Sequence, residues 1–377
     1  PEAVAAAQAA GLTVERADAL ARDWGDARFD VIVGNPPFLS QMAAATTRGG
    51  TSRHGGGPYA DAAAEFLALA VRLADPDSGV VAMVLPQSLL GARDAGPVRA
   101  AVDAVADLTW SWWQPRQQLF DAQVNVCVLG FALGAGARPQ SAGGWTRVVT
   151  NRLGIPTLSP GDLATAGTIG DRAHLNANFR DEYYALVDAV EDGGAGPPLV
   201  TSGLIDPGVC HWGSRPVRFA KRVFEAPRVD PARLTGRFSD WAARKLVPKV
   251  LVANQTRVIE AVADPTGAWL PGVPVSTVAP VGEASVWEVA AVLTCPVASV
   301  LAWQAMAGTG LSAATVRLSP AVLAATPWPA GALADAVAAL RAGDVAACAE
   351  SVCDAYALEA PATADLLGWW HAWRPRP

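Results

Sequence analysis

The stretch Phe29-Asp30-Val31-Ile32-Val33-Gly34-Asn35-Pro36-Pro37-Phe38 decides the fold. Its first six residues are rich in β-branched and aromatic side chains and read as a strand. The two prolines cannot continue a ladder, so the strand ends there. Upstream, residues 3–10 are strong helix formers that stop at Gly11, and Leu12 to Arg16 read as a short strand before a turn carrying Asp18. Downstream, a loop rich in Gly, Ser and Thr (Thr46 to Pro58) leads to an apolar-periodic helix over 61–74 with Asp61 as its N-cap. Val80 to Leu85 is continuously apolar, the pattern of a strand covered on both faces. A helix over 97–106 and strands over 108–112 and 124–133 complete the order β, α, β, α, β, β, which predicts an α/β, doubly wound sheet. Ligands of such sheets bind outside the carboxyl ends of the strands, where Asp18 and Asn35 to Phe38 both fall.

The 377 residues include 29 Lys or Arg against 35 Asp or Glu, a formal charge of −6, and are 51% hydrophobic and 17% charged. That balance supports a sizeable core and excludes a disordered or supercharged chain. Length predicts two or three domains. No apolar run reaches the roughly 20 residues that span a bilayer, and no basic segment opens the chain, so the reading is a cytoplasmic protein with no membrane partner. Cys127, Cys210, Cys295, Cys348 and Cys353 are scattered and lack C-x-x-C spacing, which argues against a disulfide scaffold or a metal cluster and fits a reducing compartment. Charge is concentrated: Arg215 to Arg257 carries +8, holds all three lysines, and leaves −14 for the remainder. By charge alone this segment is either a solvated face or a surface for phosphates.

Asn35 and Pro36 carry the chemistry. An asparagine oxygen and a proline carbonyl, held stiff by consecutive prolines at a strand end, offer two acceptors to the two N–H donors of an exocyclic amino group. Phe38 adds a ring on which a planar base stacks, worth about 1–3 kcal/mol.

In these residues the sequence resembles the amino-group-specific, S-adenosylmethionine-dependent DNA methyltransferases, in particular adenine-N6 enzymes with a TaqI-like C-terminal specificity domain. Asn35 to Phe38 match the family signature Asn-Pro-Pro-Tyr/Phe, and Arg16-Ala17-Asp18-Ala19-Leu20 is similar to its acidic turn. The resemblance implies that Asp18 and Ala19, with Asn35, contact the cofactor, and that Asn35, Pro36 and Phe38 are catalytic. Gln118 to Asp121 ahead of Val124 to Val128 is similar to the site of a second base-stacking aromatic, which makes Phe120 that residue. Pro248 to Ala253, Thr256 to Asp264, the helix behind Ser285-x-x-Glu288 and Thr326 to Pro329 resemble the specificity domain. The implied architecture is a Rossmann-like methyltransferase sheet over 1–150 and an α+β target-recognition domain over 151–377 with C-terminal helices. Arg215, Arg218, Lys221, Arg244, Lys245, Lys249 and Arg257 would then face double-stranded DNA, in a restriction–modification or phage-defence setting with possible partner subunits.

The family's glycine-rich loop and ribose-gripping acid precede the acidic turn, yet only 17 residues precede Asp18 here. The resemblance therefore implies a sheet incomplete at its N-terminus, with an exposed edge, and weak binding of S-adenosylmethionine by this chain. Two alternatives stay open: a methyltransferase for a protein glutamine or an rRNA guanine N2, which uses the same signature, and a non-catalytic DNA-binding fragment. Gly49 to Ser52 and Gly55 to Gly57 lack the Gly-Lys-Ser/Thr of a phosphate loop and read as a mobile loop beside the pocket, with His54 a loop residue. Trp110, Trp112, Trp113, Trp369, Trp370 and Trp373 read as core.

Overall fold

A computed structural model describes residues 2–38, 52–57, 60–113, 124–134, 144–178 and 180–375. The chain divides into two compact units, Pro1–Trp145 and Thr146–Pro377.

The first unit begins with α1 (Glu2–Ala9), which ends at Gly11 in the left-handed region. No strand forms over 12–16, which runs as irregular backbone into the Asp18 turn. Next come β1 (Val31–Gly34), α2 (Ala62–Leu73), β2 (Val80–Pro86), α3 (Gly96–Asp103), β3 (Ala106–Trp112) and β4 (Val126–Leu133). Asp61 caps α2 by accepting from the Ala63 amide at 2.9 Å. The four strands form one sheet in the order β1-β2-β4-β3, with β1 parallel to β2 and the other two pairings antiparallel.

The sheet departs from the doubly wound expectation in its two antiparallel pairings, in the missing strand over 12–16 and in the covering of its faces. Val81, Met83 and Leu85 on one side of β2 are buried, and α2 packs on this strand. The register puts Val31, Val33 and Val80 on the other side, where Val31 is 62% and Val33 74% exposed. A run of apolar residues shows that a strand is hydrophobic on both sides, but not that both sides are covered. Among the described residues β1 is bonded only to β2 and forms the sheet edge. Trp110, expected in the core, lies on the open side at 54% exposure, whereas Trp113, Trp369 and Trp370 are buried.

The second unit is built on an antiparallel sheet. In chain order its elements include β5 (Ala173–Ala177), the hairpin β6 (Val217–Phe219) and β7 (Arg222–Phe224), α4 (Arg237–Lys245), β8 (Lys249–Ala253), β9 (Ala261–Asp264) and β10 (Val275–Pro280). The central sheet runs β9-β8-β10-β5. β8, β9 and most of β10 are buried, and α5 (Val286–Thr294) packs against all three, whereas β5 at the edge is largely open. Ser285 and Glu288 cap α5 reciprocally, Ser285 Oγ accepting at 3.1 Å and Glu288 Oε2 at 2.8 Å. After α6 (Pro296–Met306), the helices α7 (Ala334–Arg341), α8 (Val345–Ala355) and α9 (Ala360–Trp373) close the unit. No single described helix is long and apolar enough to cross a membrane; α5 and α6 together pass by length and composition, but meet at a 62° bend and are largely buried.

Candidate active site

β1 delivers its last residues to the rim of the sheet. Gly34 faces Met83 across the parallel pair, and a side chain there would press on the Met83 methyl. Beyond it Asn35 is exposed and Pro36 buried, so the backbone is anchored while the amide is presented. The Asn35 side chain and the Pro36 carbonyl have no hydrogen-bond partner among the described residues. Both residues line a cavity of about 560 Å³ whose walls include Ala19, Trp24, Phe66 and Met83.

The acidic turn reaches the same cavity through Ala19. Asp18 Oδ1 accepts from the Leu20 amide at 3.1 Å, and the Asp18 carbonyl accepts from Ala21 and Arg22, so the turn is closed by its own first residue. The Asp18 side chain is exposed and Ala19 half-buried. Trp24 Nε1 donates to the Ala19 carbonyl at 3.0 Å, and its ring meets Phe29 edge-on at 6.1 Å, tying the turn to the start of β1. Phe38 is half-buried. Phe120 lies outside the described residues, as do Gln118 to Asp121.

In the second unit, the seven predicted DNA-facing cations separate into two groups. Lys249 is 1% exposed; its Nζ donates to Asp264 Oδ2 at 2.6 Å and to the Val247 carbonyl at 3.2 Å. The antiparallel register sets these two residues directly opposite each other on β8 and β9. Lys249 is thus an internal ion-pair partner, not a DNA contact. Burial still pulls its ammonium below the ordinary lysine range, although Asp264 opposes the shift. Arg215 forks onto Asp206 at 2.7 and 3.2 Å beside His211, which keeps its guanidinium committed to a carboxylate. Lys245, half-buried, donates to Asn176 Oδ1 and Thr277 Oγ1, both at 3.1 Å, and desolvation lowers its pKa to about 8. Arg218, Lys221, Arg244 and Arg257 are exposed.

Two solved structures are similar to this chain. One is a type IIL restriction–modification enzyme, MmeI, in complex with DNA, at 12% identity and a TM-score of 0.42, covering 91% of this chain and 54% of that one. The other is the type IIG restriction endonuclease BpuSI, at 12% identity and a TM-score of 0.34, covering 92% and 54%. This chain therefore spans about half the length of either structure. No protein-family model matches it, and no curated protein does.

Sequence reasoning missed what holds the glycine-rich loop. Glu65 on α2 is buried, and its carboxylate accepts from Ser52 Oγ at 2.7 Å and from the amides of Arg53, His54 and Gly56 at 2.9, 2.7 and 2.8 Å. Burial works to raise its pKa, but these four donors outweigh it and hold the carboxyl below the ordinary glutamate value. His54 Nε2 stands 3.2 Å from the Leu20 carbonyl, a donor distance in the tautomer protonated there. The described part of the loop, Ser52 to Gly57, is therefore bridged by hydrogen bonds from α2 to the acidic turn, whereas Gly49 to Thr51 of the expected mobile loop lie outside the described residues. The available sequence signal was a charged residue on the apolar face of α2: a carboxylate there must find donors, and a glycine-rich loop exposes backbone amides.

Proposed function

We propose that the chain belongs to an S-adenosylmethionine-dependent DNA methyltransferase that modifies the N6 amino group of adenine within a restriction–modification system. The carrying observation is that Asn35, exposed and unpartnered among the described residues, opens onto the same cavity as Ala19. An unsatisfied acceptor pair at a concave, mostly apolar site is the arrangement that an aromatic base with an NH2 group satisfies. The amino nitrogen is hidden in duplex DNA, so the base must swing out, at a cost of a few kcal/mol that pairing and stacking recover.

Ala19 and the Asp18 carboxylate suit the adenine end of the cofactor, a backbone wall beside an exposed acceptor. When bound, S-adenosylmethionine supplies an electrophilic methyl group. Asn35 and the Pro36 carbonyl accept from the two N–H groups and turn the nitrogen lone pair out of the ring plane. Phe38 supports the ring. Positioning of this kind accounts for most of the acceleration expected, and no strong base is required because the proton is lost once methylation has made the nitrogen cationic.

Transfer of tritiated methyl to unmethylated duplex DNA by the full gene product tests the reading. Asn35→Ala should reduce transfer about 10²-fold or more. Unaltered transfer by that variant, or label found only on protein glutamine or rRNA guanine, overturns the assignment.

A further inference from the structure

The β6–β7 hairpin combines rigid anchoring, free positive charge and backbone strain. Its inner side is fixed: Val217, Phe219 and Phe224 are buried, and the two phenylalanines join a core with Leu186, Val229 and Trp241. The Tyr183 ring lies 5.2 Å from that of Phe219. Its outer side is open. The register pairs Arg218 with Val223, both exposed, Val223 at 66%. Arg222 is exposed as well, with its guanidinium 4.8 Å over the Phe224 ring.

The tip adds a third observation. Ala220 and Lys221 join the strands with φ of 48° and 64°, both in the left-handed region. A two-residue turn of this hand favours Asn-Gly, and a side chain at each position is strained. Strain of this kind persists where the surroundings enforce it, and it clusters at functional contacts. Elsewhere in this basic segment Arg215, Lys249, Arg233 and Arg237 pair with Asp206, Asp264, Asp230 and Asp181, and Arg228 stacks over Trp212, while Arg244 and Arg257 are exposed single cations outside any comparable cluster. Arg218, Lys221 and Arg222 have no acidic partner among the described residues.

We propose that the β6–β7 hairpin enters a groove of duplex DNA, with Arg218 and Lys221 on phosphates and Val223 against base edges, and that the strained tip is retained to project Lys221. The proposal rests on the reading that duplex DNA is the substrate, and it names the element that reads it. A two-stranded ribbon fits the major groove, where an apolar side chain between cations meets a thymine methyl. A polyanion without grooves would be served by the cations alone and gives Val223 no role.

The experiment measures binding of the full chain to duplex DNA by fluorescence anisotropy over a range of salt concentrations. Arg218→Ala and Lys221→Ala should each weaken binding and reduce the slope of log Kd against log salt by about one. Val223→Ser should leave that slope intact but change the base selected at one position when bound duplexes are recovered from a random pool. Ala220→Asn combined with Lys221→Gly keeps the turn and removes the strain, so it should raise Tm and still weaken DNA binding. This variant separates loss of contact from loss of folding. Parent-like affinity, slope and selected sequence in all of these variants, with the parent binding DNA, overturns the hairpin assignment and leaves the methyltransferase reading standing. A parent that does not bind duplex DNA, or that binds phosphatidylserine vesicles through these residues instead, overturns both the hairpin role and DNA as substrate.

Discussion

Glu65 shows how one buried charge can shape a site it does not enter. Its four donors come from a five-residue span, and one of them, the His54 amide, belongs to the residue whose ring reaches the Leu20 carbonyl. Glu65→Ala leaves three amides and a hydroxyl without their acceptor and should destabilise the protein by about 3 kcal/mol, measured by urea unfolding. Because its folded pKa lies below the ordinary value of 4.5, the stabilisation is complete above pH 4.5 and is lost as pH falls through the folded value. The variant should therefore show a shallower acid loss than the parent. Gly56 belongs to the same arrangement, since a Cβ there would collide with Glu65 Oε1 and Ala60. Gly56→Ala should speed hydrogen exchange at the Arg53 and His54 amides; unchanged exchange would mean that Glu65 does not hold the loop.

Elements were legible from sequence where one periodicity sufficed. Asp61 starts its helix, the Pro36-Pro37 pair stops its strand, and Ser285 and Glu288 cap theirs, because each depends on neighbours within four residues. The segment 12–16 failed as a strand: its β-prone residues have no described strand to pair with, and a ladder needs a partner. The candidate acceptors Asn35 and Pro36 were legible for the same local reason. The basic segment was not, since a charge count cannot reveal which cations have found carboxylates far along the chain. Lys249 is the clearest case, paired with Asp264 across two strands. Lys249→Met should cost about 3–5 kcal/mol, because it strands a buried carboxylate. Lys249→Met with Asp264→Leu should recover only part of this, since Asp264 also accepts from the Ala268 and Trp269 amides at 3.0 Å each. Full recovery in urea unfolding would show that those two bonds contribute nothing.

Across the whole molecule the net charge of −6 conceals opposing titrations. Burial raises Glu260 to about pKa 8, with Asp206 adding to the shift and Arg215 and Arg257 opposing it. The folded state thus keeps a proton that the unfolded chain releases near pH 4.5, so unfolding releases a proton between 4.5 and 8, and stability falls as pH rises through that window. Lys245 acts in the other direction. Its folded pKa of about 8 lies under the unfolded value of 10.5, so unfolding takes up a proton between 8 and 10.5 and stability rises with pH there. Burial of Lys249 acts with the same sign. The lysines thus oppose Glu260, while above pH 9 the thiols of Cys127, Cys295, Cys348 and Cys353, which burial raises, add a fall of the same sign as that of Glu260. Urea midpoints measured from pH 5 to 9 separate the two opposing groups from the thiols. Glu260→Gln should lessen the fall below pH 8, and Lys245→Met should make the profile above pH 8 fall more steeply than in the parent. A monotonic profile that neither variant alters would mean that both groups reach water in the folded protein, and would also return Lys245 to the set of cations free to meet phosphate.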